Sequence, residues 1–263
     1  MLLLRIALYQ MNIRFEDKEG NFAKVREAAE KAAYERADVL FLPEMSFTGF
    51  SMNTELTAES DNSSMSFVRN LCLSFGLAIG FGWVRKLKDK AENCYSVIDR
   101  NGDELSTYVK THPFSYSGED RYFSGGSSIA FYAVENEGFS TAVCYDMRFP
   151  ELFSCICKDE RVKAVVIPAN WPAGRSEHWK ILTRARSIEN QVYIIAVNCV
   201  GEINGLYYSG DSCVIAPDGE ILVCSENREE LTFAEIDGSI ADKLRKSFPV
   251  KNDRRTDLYK CLL

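Results

Sequence analysis

The run FSTAVCYDMRFPELFSCICKDERVKAVVIPANW (139–171) predicts a strand, a helix and a second strand in direct succession. Residues 139–146 and 162–171 are mostly apolar, and each run ends in polar residues. The intervening FPELFSCIC (149–157) has the spacing of a short helix. Continuous apolar runs of this length are typical of strands that are covered on both faces. This part of the chain therefore predicts a sheet that is buried beneath helices.

Segments of the same kind extend outward in both directions. Further strands are predicted over 2–10, 39–44, 77–84, 192–200 and 232–236, hairpins around Asn101-Gly102 and Pro217-Asp218-Gly219, and helices over 22–36, 63–75, 176–191 and 239–246. Asn21 and Ser176 are the expected caps of two of these helices. Strands outnumber helices and alternate with them only in part. We therefore expect an α/β fold in which two sheets pack together and the helices lie outside.

The composition is that of a globular protein of enzyme size. The chain has 263 residues, of which 46% are hydrophobic, and its formal net charge is 31 − 38 = −7. An acidic chain lacks the basic face that nucleic acid requires, so we expect no nucleic-acid partner. No apolar run approaches the ~18 residues of a membrane helix, and the start MLLLRIALYQMN lacks the cleavage site of a signal peptide. We expect neither a membrane partner nor a secretory signal.

Cysteine and histidine usage narrows the chemistry. The nine cysteines are scattered and form no CxxC pair, which indicates reduced thiols and a cytoplasmic location. The only histidines are His112 and His178. A site with several histidine ligands is nearly excluded. The usual pairing of a cysteine with a histidine base is also poorly supported.

Three predicted strands end at a reactive side chain. VLFLPE ends at Glu44, LSTYVK at Lys110 and FSTAVC at Cys144. Because strand ends are where α/β proteins gather their sites, the three residues are candidates for one pocket. Glu44 would act as the base for the Cys144 thiol, and Lys110 would hold a developing oxyanion. The backbone N–H of Tyr145, at the start of the next helix, is a second oxyanion donor.

Each of these residues also has an ordinary interpretation. A cysteine such as Cys144 is commonly a small core residue, Glu44 a loop cap or ion-pair partner, and Lys110 a solvated strand end. Three classes of function therefore remain open on the residues alone. They are a cysteine-dependent hydrolase, a binding or scaffold protein without catalysis, and a thiol redox protein, which the absence of a resolving cysteine disfavours.

Four segments carry a family resemblance. PEMSFTGF (43–50), YVKTHPF (108–114), AVCYDMRFPE (142–151) and IPANWP (167–172) resemble signature segments of the nitrilase superfamily of carbon–nitrogen hydrolases. The likeness runs in order from about residue 3 to residue 240. The run 169–201 and the tail are most similar to the omega-amidase branch, whose members hydrolyse 2-oxoglutaramate and related ω-amides. The sequence of the loop THPFSYSGED (111–120) differs from that of several omega-amidases. Because this loop shapes the pocket, the identity of the substrate is less determined than the type of reaction.

The resemblance implies a fold and a set of roles. It implies a four-layer α-β-β-α sandwich over residues 1–243, in a single domain, and a tail over 244–263 that packs at a dimer interface or on its own domain. Cys144 becomes the nucleophile of a thioester mechanism, Glu44 the general base and Lys110 the oxyanion stabiliser. Glu119, nine residues beyond Lys110, becomes a second glutamate that positions the lysine and the substrate. The implied cycle needs no metal and no organic cofactor.

The remaining candidates concern the substrate. The expected substrate is a small carboxylated amide, and the alternatives within the superfamily are an N-carbamoyl amino acid or an aliphatic amide. We also expect a homodimer or higher homo-oligomer. Arg148 is expected to form a structural ion pair. The residues expected to bind substrate are Trp171, Asn170, Tyr116, Arg175 and His178.

Overall fold

The computed structural model describes residues 3–259. The strand predicted over 2–10 and the tail predicted over 244–263 therefore extend beyond the described residues at Leu2 and at 260–263. The helices are α1 (Lys18–Tyr34), α2 (Thr54–Thr57), α3 (Ser63–Phe75), α4 (Glu119–Tyr122), α5 (Pro150–Ile156), α6 (Ser176–Asn190), α7 (Gly238–Ser247) and α8 (Thr256–Tyr259).

Two six-stranded sheets form the centre of the molecule. The strands are β1 (Leu4–Gln10), β2 (Val39–Phe41), β3 (Ala78–Lys86), β4 (Ala91–Ile98), β5 (Glu104–Val109), β6 (Tyr132–Val134), β7 (Glu137–Thr141), β8 (Ala164–Ala169), β9 (Tyr193–Asn198), β10 (Val200–Ile203), β11 (Leu206–Ser209), β12 (Cys213–Ile215), β13 (Ile221–Cys224) and β14 (Glu230–Ile236). The first sheet has the order β14-β1-β2-β3-β4-β5, and the second has β13-β12-β9-β8-β7-β6. β10 and β11 form a separate hairpin.

Side chains that point alternately to the two faces of each strand explain why the sheets pack on each other and on the helices. On β1, Ile6 and Leu8 belong to the core between the sheets, whereas Ala7 and Tyr9 face α1 and α3 on the outer side. Phe41 and Phe139 meet across the sheet interface with ring centroids 6.0 Å apart. On the far side, α5 and α6 cover the second sheet. The predicted four-layer α-β-β-α sandwich is confirmed.

Several local predictions need correction. Helix α1 starts earlier than expected because Asp17, and not Asn21, is its cap; the Asp17 side chain accepts a hydrogen bond from Gly20 N. Ser176 does not cap α6, since its hydroxyl bonds to Asp211 instead. The strand expected over 139–146 ends at Thr141, and a 3₁₀ turn spans Cys144–Arg148.

The described part of the tail packs on its own subunit. Arg245 donates to the carbonyls of Glu160, Val162 and Gln191, and Lys251 donates to that of Cys157. The predicted boundary between residues 243 and 244 falls inside α7. Among residues 3–259, no helix combines the length and the hydropathy needed to cross a bilayer.

Candidate active site

Cys144 lies on a tight turn just past the end of β7. Its φ of +49° is in the left-handed region, which a residue with a β carbon rarely adopts without local support. Asp146 supplies that support, because its Oδ2 accepts a hydrogen bond from Val143 N at 2.9 Å. The other carboxylate oxygen accepts from His112 N at 2.9 Å. The turn that carries the thiol is therefore fastened to the loop that follows Lys110.

Glu44 follows β2 and is fully buried. Its carboxylate Oε2 accepts from Asn170 N at 2.9 Å, which joins the first sheet to the second. Gly82 on β3 makes room for the Glu44 segment. A β carbon at Gly82 would lie 2.2 Å from the backbone N of Met45, so only glycine allows this approach.

Lys110 lies between two carboxylates. Its Nζ is 2.8 Å from Glu44 Oε1 and 2.9 Å from Glu119 Oε2. The three side chains are 1%, 0% and 0% exposed, so the ammonium is paired with both carboxylates inside the protein and away from solvent. Glu119 is held further by Phe114 N, which donates to its Oε2. The structure thus brings together the predicted acid, amine and second acid.

Asn93 is a member of the cluster that the sequence analysis missed. It lies on β4 and is 2% exposed. Its Nδ2 donates to Glu44 Oε1 at 2.8 Å and to Glu119 Oε1 at 3.1 Å. The signal was present in the sequence, because a hairpin centred between Asn101 and Gly102 pairs Asn93 with Lys110. The hydrogen bond from Lys110 N to the Asn93 carbonyl, at 2.9 Å, shows that pairing.

Burial and neighbouring charges shift two of the pKa values. Burial raises the pKa of the Cys144 thiol well above its usual range, and the negative charge of Glu44 raises it further. The thiol therefore needs a base to become a nucleophile. Burial alone would lower the pKa of Lys110, but the charges of Glu44 and Glu119 outweigh it and raise the pKa. The amine is therefore an ammonium at neutral pH.

A cavity opens onto Cys144 and Lys110. Its walls are largely aromatic and apolar, and they limit the site to a small molecule. The apolar and aromatic residues that line it are Phe50, Phe114, Tyr145, Trp171, Leu206 and Tyr208.

Two guanidinium groups also line this cavity. Arg148 lies over the ring of Trp171, 4.6 Å from its centroid, and Arg175 lies 5.5 Å from the centroid of Phe114. Arg148 was expected in a structural ion pair. Within residues 3–259, however, neither arginine forms a salt bridge, and the Arg148 side chain hydrogen-bonds only to His178 Nδ1, at 3.3 Å. Burial lowers the pKa of Arg148, and the neighbouring charge of Arg175 lowers it further.

The structure separates the residues that were expected to bind substrate. Trp171, Asn170 and Arg175 line the cavity. The Asn170 side chain is committed to the protein, since its Nδ2 donates to the Glu44 carbonyl at 2.6 Å. Tyr116 is 87% exposed and lies off the cavity wall, because its 3₁₀ turn directs it to solvent. His178 also lies off the wall, behind Arg148.

Across residues 3–259, no group of three or more His, Cys, Asp or Glu side chains has the arrangement of a metal site.

A four-layer α/β fold that holds a buried thiol beside an ammonium and two carboxylates defines a cysteine-dependent hydrolase. Comparison with known proteins gives the family. The sequence profile of the carbon–nitrogen hydrolases matches residues 5–246, and the chain belongs to this family. The predicted nitrilase-type hydrolase is therefore confirmed.

The similarity to individual relatives extends along almost the whole chain. The chain is 34% identical to the 2-oxoglutaramate amidase of Bacillus subtilis, over 97% of this chain and 98% of that protein. It is 31% identical to the omega-amidase YafV of Yersinia enterocolitica, over 96% and 97% of the two chains. The crystal structure of XC1258, a CN-hydrolase superfamily protein from Xanthomonas campestris, superposes with a TM-score of 0.89 at 29% identity, covering 97% and 98% of the two chains.

Proposed function

We propose that the chain is an omega-amidase, which hydrolyses the terminal amide of a small carboxylated amide such as 2-oxoglutaramate and releases ammonia. Cys144 is the nucleophile, Glu44 the general base, and Lys110 and the Tyr145 N–H stabilise the oxyanion. Glu119 positions Lys110. The relatives named above as 2-oxoglutaramate amidase and omega-amidase support this choice of substrate.

The first half of the cycle forms a thioester. Glu44 takes the proton of Cys144 as the sulfur attacks the amide carbon, and the carbonyl electron pair moves onto oxygen. The Lys110 ammonium and the Tyr145 N–H stabilise the negative charge that results. When the intermediate collapses, the carbon–nitrogen bond breaks and protonated Glu44 gives its proton to the leaving nitrogen, which departs as ammonia.

The second half consumes one water molecule. Glu44 takes a proton from the water as its oxygen attacks the thioester carbon, and the same donors hold the second oxyanion. Collapse then breaks the carbon–sulfur bond, and Glu44 returns the proton to Cys144. The products are the free carboxylic acid and the original thiol. No step requires a metal or an organic cofactor.

The observation that carries the substrate class is the pair Arg148 and Arg175. Both guanidiniums line the cavity that contains Cys144, and neither has a carboxylate partner among residues 3–259. A guanidinium binds a carboxylate through two parallel hydrogen bonds, so a substrate carboxylate would complete the site. An amide at Cys144 and a carboxylate at the arginines describe a short ω-amide.

Ammonia release from 2-oxoglutaramate, succinamate and glutamine tests the proposal in the wild type and in Cys144→Ala. We expect release from the first two, little from glutamine, and none in the variant. Cys199→Ala is a matched control, because Cys199 is also buried and bonds to Asn170 but does not line the cavity. Activity that persists in Cys144→Ala would contradict the proposed nucleophile.

Each alternative function within the family predicts a different result in the ammonia-release assay. Ammonia from N-carbamoyl amino acids alone would make the chain a carbamoylase, and ammonia from butyramide alone an aliphatic amidase. Inactivity on every amide, with a Cys144 that iodoacetamide does not modify, would favour a binding protein with the same fold.

We also propose a homo-oligomer, with at least two copies, that functions in the cytoplasm. Apolar side chains are exposed on α6, on β13 and just after α7: Ile181, Ile188, Ile221, Leu222 and Phe248. All eight cysteines of the described chain are free, as a reducing compartment requires. Light scattering of the wild type and of Ile188→Asp tests the assembly, and a monomeric wild type would contradict it. Cell fractionation checks the location.

A further inference from the structure

The two buried carboxylates outnumber the single ammonium between them. Glu44 and Glu119 carry two negative charges against the one positive charge of Lys110, and none of the three is more than 1% exposed. Neutral hydrogen-bond donors must therefore stabilise the remaining negative charge. Three such donors contact the carboxylates: Asn170 N, Phe114 N and the Asn93 side chain.

Asn93 differs from the other two neutral donors. Asn170 N contacts only Glu44, and Phe114 N contacts only Glu119. The Asn93 Nδ2 donates to both carboxylates, as the Lys110 ammonium does. The amide and the ammonium thus form two parallel bridges between the same pair of acids.

The orientation of the Asn93 amide is fixed by charge. If the group were reversed, its Oδ1 would face two carboxylates and repel both. With Nδ2 towards the acids, the buried Oδ1 has no hydrogen-bond partner among the described residues. An acceptor left unsatisfied in this way is expected where the donor side of the group has the essential contacts.

We propose that Asn93 is a positioning residue of the hydrolase, which keeps Glu44 and Glu119 ionised together on either side of Lys110 and so keeps Glu44 ready to accept a proton. The inference rests on the proposed role of Glu44 as the base. It predicts that loss of the Asn93 donor makes protonation of the carboxylate pair easier, because hydrogen bonds to the charged form are lost.

The variants Asn93→Leu and Asn93→Asp test this, since both keep the approximate shape of the side chain. Two rates are measured from pH 5 to pH 9: ammonia release from 2-oxoglutaramate, and alkylation of Cys144 by iodoacetamide. In Asn93→Leu we expect the acid limb of both profiles to shift to higher pH by about one pH unit. Both rates should recover in part at pH 9. In Asn93→Asp the third carboxylate should displace the limb further and lower both rates.

Ser96→Ala is the matched control. Ser96 is on the same strand, fully buried, and accepts from Trp83 Nε1 at 2.8 Å, but it contacts neither carboxylate. It should lose stability and keep both pH profiles. If Asn93→Leu does not fold, Asn93→Ala removes the same donors with less crowding.

The two readouts separate the possible failures. A wild type that releases no ammonia from any amide would overturn the proposed function, and the alkylation profile would still report on Asn93. Profiles of unchanged shape in a folded Asn93 variant, with a uniform decrease at every pH, would overturn the inference and leave Asn93 a structural residue.

Discussion

The guanidinium of Arg148 lies 4.6 Å from the ring centroid of Trp171, and both side chains line the cavity beside Cys144. Arg148 lies in the turn that follows β7, and Trp171 lies in the loop that follows β8. The contact keeps a cation with few hydrogen-bond partners in a fixed place. It therefore places a positive charge on the wall of the cavity.

Loss of that cation should weaken the binding of carboxylated amides. We expect Arg148→Met and Arg175→Met each to lower kcat/KM for 2-oxoglutaramate by about 10- to 100-fold, mainly through KM, because a charged hydrogen bond contributes about 1.5–3 kcal/mol. Hydrolysis of butyramide, which has no carboxylate, should change little. Steady-state kinetics on both amides check this, with Arg184→Met, outside the cavity, as control. Equal losses on the two amides would contradict the assignment.

Gly82→Ala should displace the segment that holds Glu44. The new methyl group would meet the backbone of Met45, which cannot move aside as a flexible side chain can. We expect a loss of about 1–3 kcal/mol in the free energy of unfolding and a large decrease in ammonia release. Urea unfolding and the amidase assay measure the two effects. Gly174→Ala is the control, since a β carbon there has no heavy atom within 4 Å. Full activity in Gly82→Ala would show that the segment tolerates the shift.

Asp146→Asn should loosen the turn that carries Cys144. Both carboxylate oxygens accept from backbone N–H groups, those of Val143 and His112, so an amide nitrogen must face one of these donors. We expect a destabilisation of about 1–3 kcal/mol and slower alkylation of Cys144 by iodoacetamide. Asp159→Asn, on the surface, serves for comparison. An unchanged alkylation rate would mean that the turn keeps its shape without Asp146.

Alkaline pH should lower stability through the buried thiols. Burial raises the pKa of Cys94 to about 12, whereas in the unfolded chain it is about 8.5. The protonated thiol therefore contributes stability that is fully present below about pH 8.5 and is lost as the pH rises towards 12.

Between pH 8.5 and 10, Cys94→Ala should reduce the steepness of the decrease in unfolding free energy with pH by about 1 kcal/mol per pH unit. Urea unfolding at several pH values measures this slope, with the exposed Cys155→Ala as control. A Cys94→Ala slope equal to that of the wild type would contradict the shift.

Some of the site follows from sequence because reactive side chains interrupt apolar strands. Glu44, Lys110 and Cys144 each lie one to three residues beyond a strand, and strand ends converge in α/β folds. Glu119 required the family resemblance, since an acid in a polar loop has no distinguishing pattern. Asn93 was missed because a polar residue in an alternating strand is ordinary, although the hairpin register pairs it with Lys110.

The errors arise where loop geometry determines direction. Tyr116 is in the expected loop, but a 3₁₀ turn directs it to solvent. Arg148 is four residues after Cys144, and the turn between them directs its side chain to the cavity wall instead of to an acid. Sequence patterns report which residues are buried in regular elements. They do not report the path of an irregular turn, which depends on contacts such as those of Asp146.

Strand β14 pairs antiparallel with β1, from Leu4 opposite Ile236 to Gln10 opposite Glu230. The edge of the first sheet is therefore closed by a strand that is synthesised more than 200 residues after its neighbour. During translation, one side of β1 has no pairing strand until β14 has been synthesised, near the end of the chain. A chain truncated before β14 would leave that side of β1 unpaired and open to edge-to-edge aggregation.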